Sequence, residues 1–162
     1  MQVSQIGFIK NCVPQKIGYR NVICGKQVLA LQTIFCKIIY CMADLINEFN
    51  DYRQQMNEVI LSKNNLVMKR LWNLDTNTYE DGALDKRTKE MLGLVASMVL
   101  RCDDCIKYHL GKCFELGINT DELYEVFAVA NIVGGTIVIP HTRRAAEYWE
   151  ALNGKQDFSA AE

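Results

Sequence analysis

Residues 15–139 contain no proline, and that absence limits the fold more than any other feature of the chain. Proline removes a backbone donor and breaks helices, so Pro14 and Pro140 leave a long middle stretch free to be helical. Apolar residues fill that stretch at helical spacing. Leu45, Phe49, Tyr52, Met56, Val59 and Ile60 recur every three or four positions and define one apolar face. Leu66, Val67, Leu71 and Trp72 continue as a second, shorter helix, and residues 73–82 read as a loop closed by Asp81 and Gly82. Asp85 is a suitable N-cap for a helix running through Glu90, Leu92, Val95 and Val99. Another helix carries Ile106, Leu110, Cys113 and Phe114, with Gly117 as its stop. Asn119 and Glu122 form a capping box for the next, which Gly134 and Gly135 interrupt. Pro140 suits the first turn of a last helix that Gly154 would end. Residues 135–139 are the one strand-like run, without a partner strand. The expectation is an all-α, single-domain bundle of five to seven helices.

A chain of 162 residues accommodates one domain with a real core. Its 49% hydrophobic and 23% charged residues are ordinary for a soluble protein. A net charge of -1 gives no electrostatic reason to expect nucleic acid or an anionic membrane as partner, and the expected location is cytoplasmic. The charges are unevenly placed. Residues 1–41 hold five basic residues and no acidic one, together with Cys12, Cys24, Cys36 and Cys41. All 19 acidic residues and the remaining three cysteines follow. The break coincides with Met42, behind which an amphipathic helix reads clearly. Residues 1–41 are therefore expected to be an N-terminal extension, 42–154 the helical domain and 155–162 a tail. A genuine helical arm and a targeting segment are the competing readings. Lys37 interrupts the apolar run Val28–Cys41, which counts against a signal sequence, and no uninterrupted apolar stretch of about 18 residues exists to span a membrane.

The chemically loaded segment is Arg101-Cys102-Asp103-Asp104-Cys105-Ile106-Lys107-Tyr108-His109. Two thiols three positions apart at a helix start can close a small disulfide ring, and the helix amides and dipole favour a thiolate there. His109 follows Cys105 by four residues, which on a helix brings the two side-chain roots to about 5–6 Å. Histidine titrates near neutral pH and suits proton transfer to or from Cys105. Arg101 and Lys107 add positive charge. Two plainer readings stand beside this one. A CxxC pair can be half of a zinc site, but structural zinc needs four ligands, and Cys113 lies about two helical turns beyond Cys105. The cysteines can also simply pack in a helical core. No metal and no cofactor is expected.

The span from Leu84 to Leu152 resembles the carboxymuconolactone decarboxylase superfamily in its alkylhydroperoxidase D-like branch. That branch's pattern is a glutamate, eleven residues, Cys-x-x-Cys, three residues and a histidine, and Glu90, Cys102, Cys105 and His109 match it. The matching frame includes residues 85–90 and the helix around 128–135. The resemblance implies an all-helical fold assembled as a homo-oligomer, a trimer or hexamer. It also implies antioxidant thiol–disulfide chemistry: a peroxide or disulfide substrate, a thiol electron donor, and a peroxiredoxin as a candidate partner to be recycled. Glu90 and His109 would relay protons to the cysteines. On one continuous helix those two residues would stand about 28 Å apart. The chain must turn near Arg101 and Cys102, and a simple hairpin there would still leave them several Å out of level. Asp104 departs from the pattern, standing where well-studied members carry a second histidine. A carboxylate beside a thiol disfavours the thiolate. Asp103 or Asp104 is alternatively the helix N-cap.

Outside this segment, His141 at a helix start reads as structural, Arg143 and Arg144 as a solvated or interface face, and Cys113 as buried packing. Phe114, Phe127, Tyr148 and Trp149 read as core or oligomer contacts. Cys105, held near His109, is the expected fast-reacting thiol. Two other function classes stay open: lactone decarboxylation, which needs no cysteine pair, and a non-catalytic helical oligomerisation or binding module. If residues 1–41 lie outside the fold, a chain shortened to 42–162 is expected to be helical, soluble and as active as the full chain. Circular dichroism and an activity assay check this, and loss of folding or assembly would make those residues part of the structure.

Overall fold

The computed structural model describes the backbone of residues 25–159 and the side chains of residues 44–154. The chain divides between Ile34 and Phe35 into two units. Of the first, only the opening of a helix is described. The charge and cysteine pattern of residues 1–41 and the tail 155–162 lie outside the described side chains. Among the described residues there are six α-helices and no strand: α1 (Gly25–Ser62), α2 (Leu66–Thr78), α3 (Lys86–Leu100), α4 (Asp103–Glu115), α5 (Thr120–Gly134) and α6 (Ile139–Ser159), with a 3-10 turn over Thr136–Val138. No helix among them is long and apolar enough to cross a membrane. The expected all-α class holds.

Most boundaries follow from local chemistry. Asn65 starts α2, its side chain accepting from the backbone N–H groups of Val67 and Met68. Asp85 accepts from Thr88 N–H at 2.7 Å to start α3. Asn119 and Glu122 complete a reciprocal capping box on α5. Gly117 takes a φ of +71° after α4, a conformation in which a Cβ would be strained.

Two expectations fail. Residues 73–78 are not a loop but the second half of α2. Their polar side chains find partners along the helix, Thr76 Oγ1 donating to Trp72 O at 3.0 Å and Thr78 Oγ1 to Leu74 O at 2.7 Å. A composition that resembles a turn is thereby absorbed by helical back-bonding. Gly154 does not end α6, which continues to Ser159. A glycine inside a helix costs only about 1 kcal/mol, too little to stop one by itself. The strand-like run 135–139 has no strand to pair with and becomes the 3-10 turn and the start of α6, with Val138 buried beneath it. Thr142 and Asn131 tie this corner together, Asn131 Nδ2 donating to Thr142 Oγ1 at 2.9 Å.

α3 packs against α4 and α5, and α4 packs against α6. The core between them contains Leu94, Met98, Ile106, Leu110, Cys113, Leu123, Phe127, Tyr148 and Trp149, with Ile46 of α1. The buried Trp149 satisfies its one polar group by donating Nε1–H to the Thr120 hydroxyl at 3.1 Å. Phe114 meets the Trp149 ring edge-on. α2 has no buried residue, and Leu66, Val67, Leu71 and Leu74 are more than half exposed. Val129, Ile132, Val133 and Ile137 form a second apolar surface along α5 and the following turn.

Candidate active site

The site is built where α3 hands over to α4. Arg101 ends α3 in the left-handed conformation at φ +61°. Its N–H returns to Met98 O, and that of Cys102 to Ser97 O, each at 3.1 Å, which closes a Schellman-type end. The reversal therefore occupies only Arg101 and Cys102, as the motif spacing required.

Cys102 is itself the N-cap of α4. Its sulfur accepts from the Cys105 backbone N–H at 3.4 Å, and neither Asp103 nor Asp104 takes that role. A sulfur at this position receives a helix N–H and the positive end of the helix dipole, both of which favour its anionic form. Cys102 and Cys105 are joined as a disulfide, with Cα atoms 5.3 Å apart. Cys102 is half-buried and Cys105 is exposed.

Below the disulfide lies a buried pair. Glu90 of α3 is 1% exposed, and its Oε2 stands 2.7 Å from Nδ1 of His109, which is 6% exposed. With Glu90 as the carboxylate, Nδ1–H donates to it and leaves the Nε2 lone pair for a second proton. The offset expected of a simple hairpin is absent, and Gly93 accounts for it. A Cβ on Gly93 would lie 2.6 Å from Cε1 and 2.9 Å from Nε2 of His109, so the imidazole occupies the space of a missing side chain. Bare backbone one turn after Glu90 lets α4 approach α3 closely. The burial gives His109 a packing role in addition to the proton transfer for which its spacing from Cys105 suits it. Truncating it would leave Glu90 buried and unpaired, a change that typically destabilises by about 3–5 kcal/mol.

Tyr79, at the end of α2, lies with its ring centroid 5.2 Å from that of His109. Its hydroxyl would be 2.8 Å from a Cβ on Gly93. Burial, reinforced by the Glu90 charge, raises its titration and keeps it protonated. Neither Gly93 nor Tyr79 was identified from sequence. Gly93 resembled any helical glycine, and Tyr79 fell in the segment read as a loop. Cys113 is fully buried, and burial, with the Glu90 charge, pushes its thiol up to about 12. It is a packing residue that stays protonated at neutral pH, as its position on the core face of the helix predicted.

A second histidine–carboxylate contact involves Asp103, the residue after Cys102. His141 Nδ1 stands 2.7 Å from Asp103 Oδ1, and Arg144 stands 3.1 Å from Oδ2 of the same carboxylate. Asp104 is exposed. Among the described residues, no group of three or more His, Cys, Asp or Glu side chains is placed to hold a metal ion. Four sequence-predicted residues thus form two neighbouring pairs, Cys102–Cys105 and Glu90–His109. No hydrogen bond joins one pair to the other among the described residues.

Filling the space at Gly93 is a direct check on this arrangement. Gly93→Ala is expected to displace the imidazole from Glu90, lower stability by about 1–3 kcal/mol as overpacking does, and shift the His109 ring resonances in NMR spectra. An unchanged His109 spectrum and unchanged stability would mean that the ring does not need that space.

Comparisons with known proteins agree with this architecture. Residues 65–148, slightly more than half of the chain, match the carboxymuconolactone decarboxylase family. Two crystal structures of one Thermotoga maritima protein are similar. One is 48% identical, covers 68% of this chain and 96% of its own, and has a TM-score of 0.66. The other is 46% identical, covers 69% and 95%, and has a TM-score of 0.67; its description names this family and raises involvement in an antioxidative response. A Legionella pneumophila protein of the family, solved in its apo form, is 25% identical over 67% of this chain and 97% of its own, with a TM-score of 0.59. An uncharacterised Cupriavidus necator protein is 28% identical over 74 residues, and this chain covers 66% of its length. A Paracoccus denitrificans protein described only as uncharacterised protein 4 in the cox locus is 28% identical over 76 residues, 68% of its length. The chain belongs to the carboxymuconolactone decarboxylase family.

Proposed function

We propose that the protein is a thiol–disulfide antioxidant oxidoreductase, in which Cys102 and Cys105 cycle between dithiol and disulfide while Glu90 and His109 move the protons. The observation that carries this reading is an accessible cysteine pair at the N-terminus of α4 together with a buried carboxylate–imidazole pair whose imidazole, His109, is on that same helix.

In the oxidative half, the exposed Cys105 thiolate attacks a peroxide oxygen, giving a sulfenic acid and an alkoxide that takes a proton from the His109–Glu90 pair. The Cys102 thiolate then attacks the Cys105 sulfur, forming the disulfide and releasing hydroxide, which leaves as water after taking a second proton. The sum is one dithiol and one peroxide going to disulfide, alcohol and water. In the reductive half, a donor thiolate attacks the exposed Cys105 sulfur. Cys102 leaves as a thiolate into its N-cap position, where the Cys105 N–H and the helix dipole stabilise it. A second donor thiol releases Cys105 and carries away the new disulfide. Cys105 is thus the sulfur that meets external reactants, and its exposure supports the assignment. The donor is a small dithiol or a protein thiol, with a peroxiredoxin as the candidate protein partner.

His109 contributes as a base whose ring is fixed by Glu90, the arrangement in which a neighbouring carboxylate sets both tautomer and orientation. Burial of the pair keeps the relay out of bulk water, and the exchange of one proton between the two groups avoids leaving an isolated charge in the core. The lactone decarboxylation that gives the family its name has no use for a cysteine pair, so Cys102 and Cys105 favour the redox reading. The exposed apolar surfaces of α2 and of α5 with its following turn support the homo-oligomer implied by the resemblance, since patches of that kind usually mark interfaces.

The test is peroxide turnover with a dithiol donor. Cys102→Ser and Cys105→Ser are each expected to abolish it. His109→Asn, which keeps a donor near the Nδ1 position and so a partner for Glu90, is expected to slow it by about 10²–10⁴ while leaving the fold in place. Full turnover by either serine variant, or by His109→Asn, would refute the mechanism.

A further inference from the structure

We infer that His141 and Arg144 of α6 are positioning residues for the cysteine pair: they hold the Asp103 carboxylate away from the Cys102 sulfur and keep the start of α4 favourable to a thiolate. This inference rests on the reading in which Cys102 and Cys105 cycle, and it concerns a cluster to which that reading gives no role.

The geometry is specific. Asp103 is the residue after Cys102 and occupies the first turn of α4. A carboxylate there stabilises the helix by facing its dipole, yet beside a sulfur that must become anionic it opposes ionisation. The structure divides these effects by engaging both carboxylate oxygens on α6. His141 donates Nδ1–H to Oδ1 at 2.7 Å, and Arg144 donates to Oδ2 at 3.1 Å. The Arg144 guanidinium also comes within 2.8 Å of His141 Nδ1. Two donors converging on one carboxylate explain that approach, because Nδ1 cannot both donate to Asp103 and accept from Arg144. Burial by itself pushes the Asp103 carboxyl up, but the bonds from His141 and Arg144 outweigh it and hold the group below its ordinary range. The carboxylate is therefore held as an anion and matched by the Arg144 cation.

The surroundings leave these two residues as the agents. On α4, Asp104 is exposed, and the Lys107 ammonium lies over the Phe49 ring, 5.3 Å from its centroid. On α3 the nearest charge in sequence is Arg101, the exposed residue that ends the helix. On α6, the neighbouring Arg143 forms no ion pair with Asp103. The tie also anchors the redox turn to the start of α6, where His141 follows the buried Val138 by three residues. His141 thus does for the cysteine end of α4 what Glu90 does for His109, acting through a neighbour and touching no reacting atom.

The experiment measures the pH dependence of Cys102 and Cys105 alkylation in the reduced full-length protein, with iodoacetamide and peptide mass mapping, for wild type and three variants. His141→Phe, which keeps an aromatic ring but loses the bond, is expected to slow Cys102 alkylation about 3–10-fold below the thiol's titration and to leave the high-pH plateau unchanged. This corresponds to a shift of its titration by about half to one pH unit. His141→Asn, which restores a donor near Nδ1, is expected to recover most of the rate. Asp103→Asn combined with His141→Phe is expected to return to within about 2-fold of wild type, because the charge that His141 restrains is gone. A merely structural role for His141 would not produce that rescue. Superimposable curves for wild type and His141→Phe, or a double variant as slow as the single one, would overturn the inference. If wild type turns over peroxide and His141→Phe shows no shift, only the positioning role fails. If the shift appears and wild type shows no turnover, only the functional reading fails.

Discussion

The buried contact between Glu90 and His109 is the interaction on which the rest of the site depends. A carboxylate with 1% exposure has lost its hydration, and it persists in the core only because an imidazole supplies a hydrogen bond and a proton. That requirement fixes how α4 lies on α3, since the ring must reach the carboxylate through the space left by Gly93. It also fixes the level of the cysteine pair, with Cys105 one helical turn before His109 and Cys102 immediately after the left-handed Arg101. The apolar residues Leu94, Met98, Ile106 and Leu110 then pack around a contact that an apolar core alone would not specify. A buried polar contact of this kind is weak evidence for stability but strong evidence for a particular arrangement.

The elements that carry the disulfide also carry two histidine–carboxylate contacts that differ in burial. Glu90–His109 lies in the core, and the proposed function gives it the proton exchange. Asp103–His141 lies nearer the surface, shares an arginine, and holds a charge still. Both histidines of the chain are used this way. Opposite environments thus give the same two side-chain types different roles, and both act on the short turn between α3 and α4.

Much of this was legible in the sequence wherever the information is local. Asp85, the Asn119–Glu122 box, Gly117 and the Gly134–Gly135 break each announce a boundary through one or two residues and their immediate backbone, and the structure places helix ends there. The reading failed where local chemistry has two solutions. The Asn and Thr residues of 73–78 cap turns readily, yet they bond back along α2 equally well. It also failed where a side chain's partner is distant in sequence. Motif spacing pairs Glu90 with His109, but only the absent side chain of Gly93 makes the pairing possible, and nothing near Gly93 signals that. Asp103 looked like an N-cap because nothing local reveals that His141, 38 residues later, takes its carboxylate. Tyr79 reaches the site from a helix end that was read as the middle of a loop.

The central claim is that Cys102 and Cys105 form a reversible two-electron couple tied to protons, and one measurement addresses it most directly. The full-length protein is equilibrated in dithiol–disulfide buffers of defined potential at several pH values, and the Cys102–Cys105 disulfide is quantified by thiol trapping and mass spectrometry. The account predicts a single reversible transition confined to these two cysteines, spanning about 30 mV per tenfold change in the ratio of the two forms. Its midpoint should fall by about 59 mV per pH unit where both thiols are protonated, since two protons accompany two electrons. A pair that stays reduced or oxidised at every accessible potential, or a midpoint indifferent to pH below the thiol titrations, would contradict it.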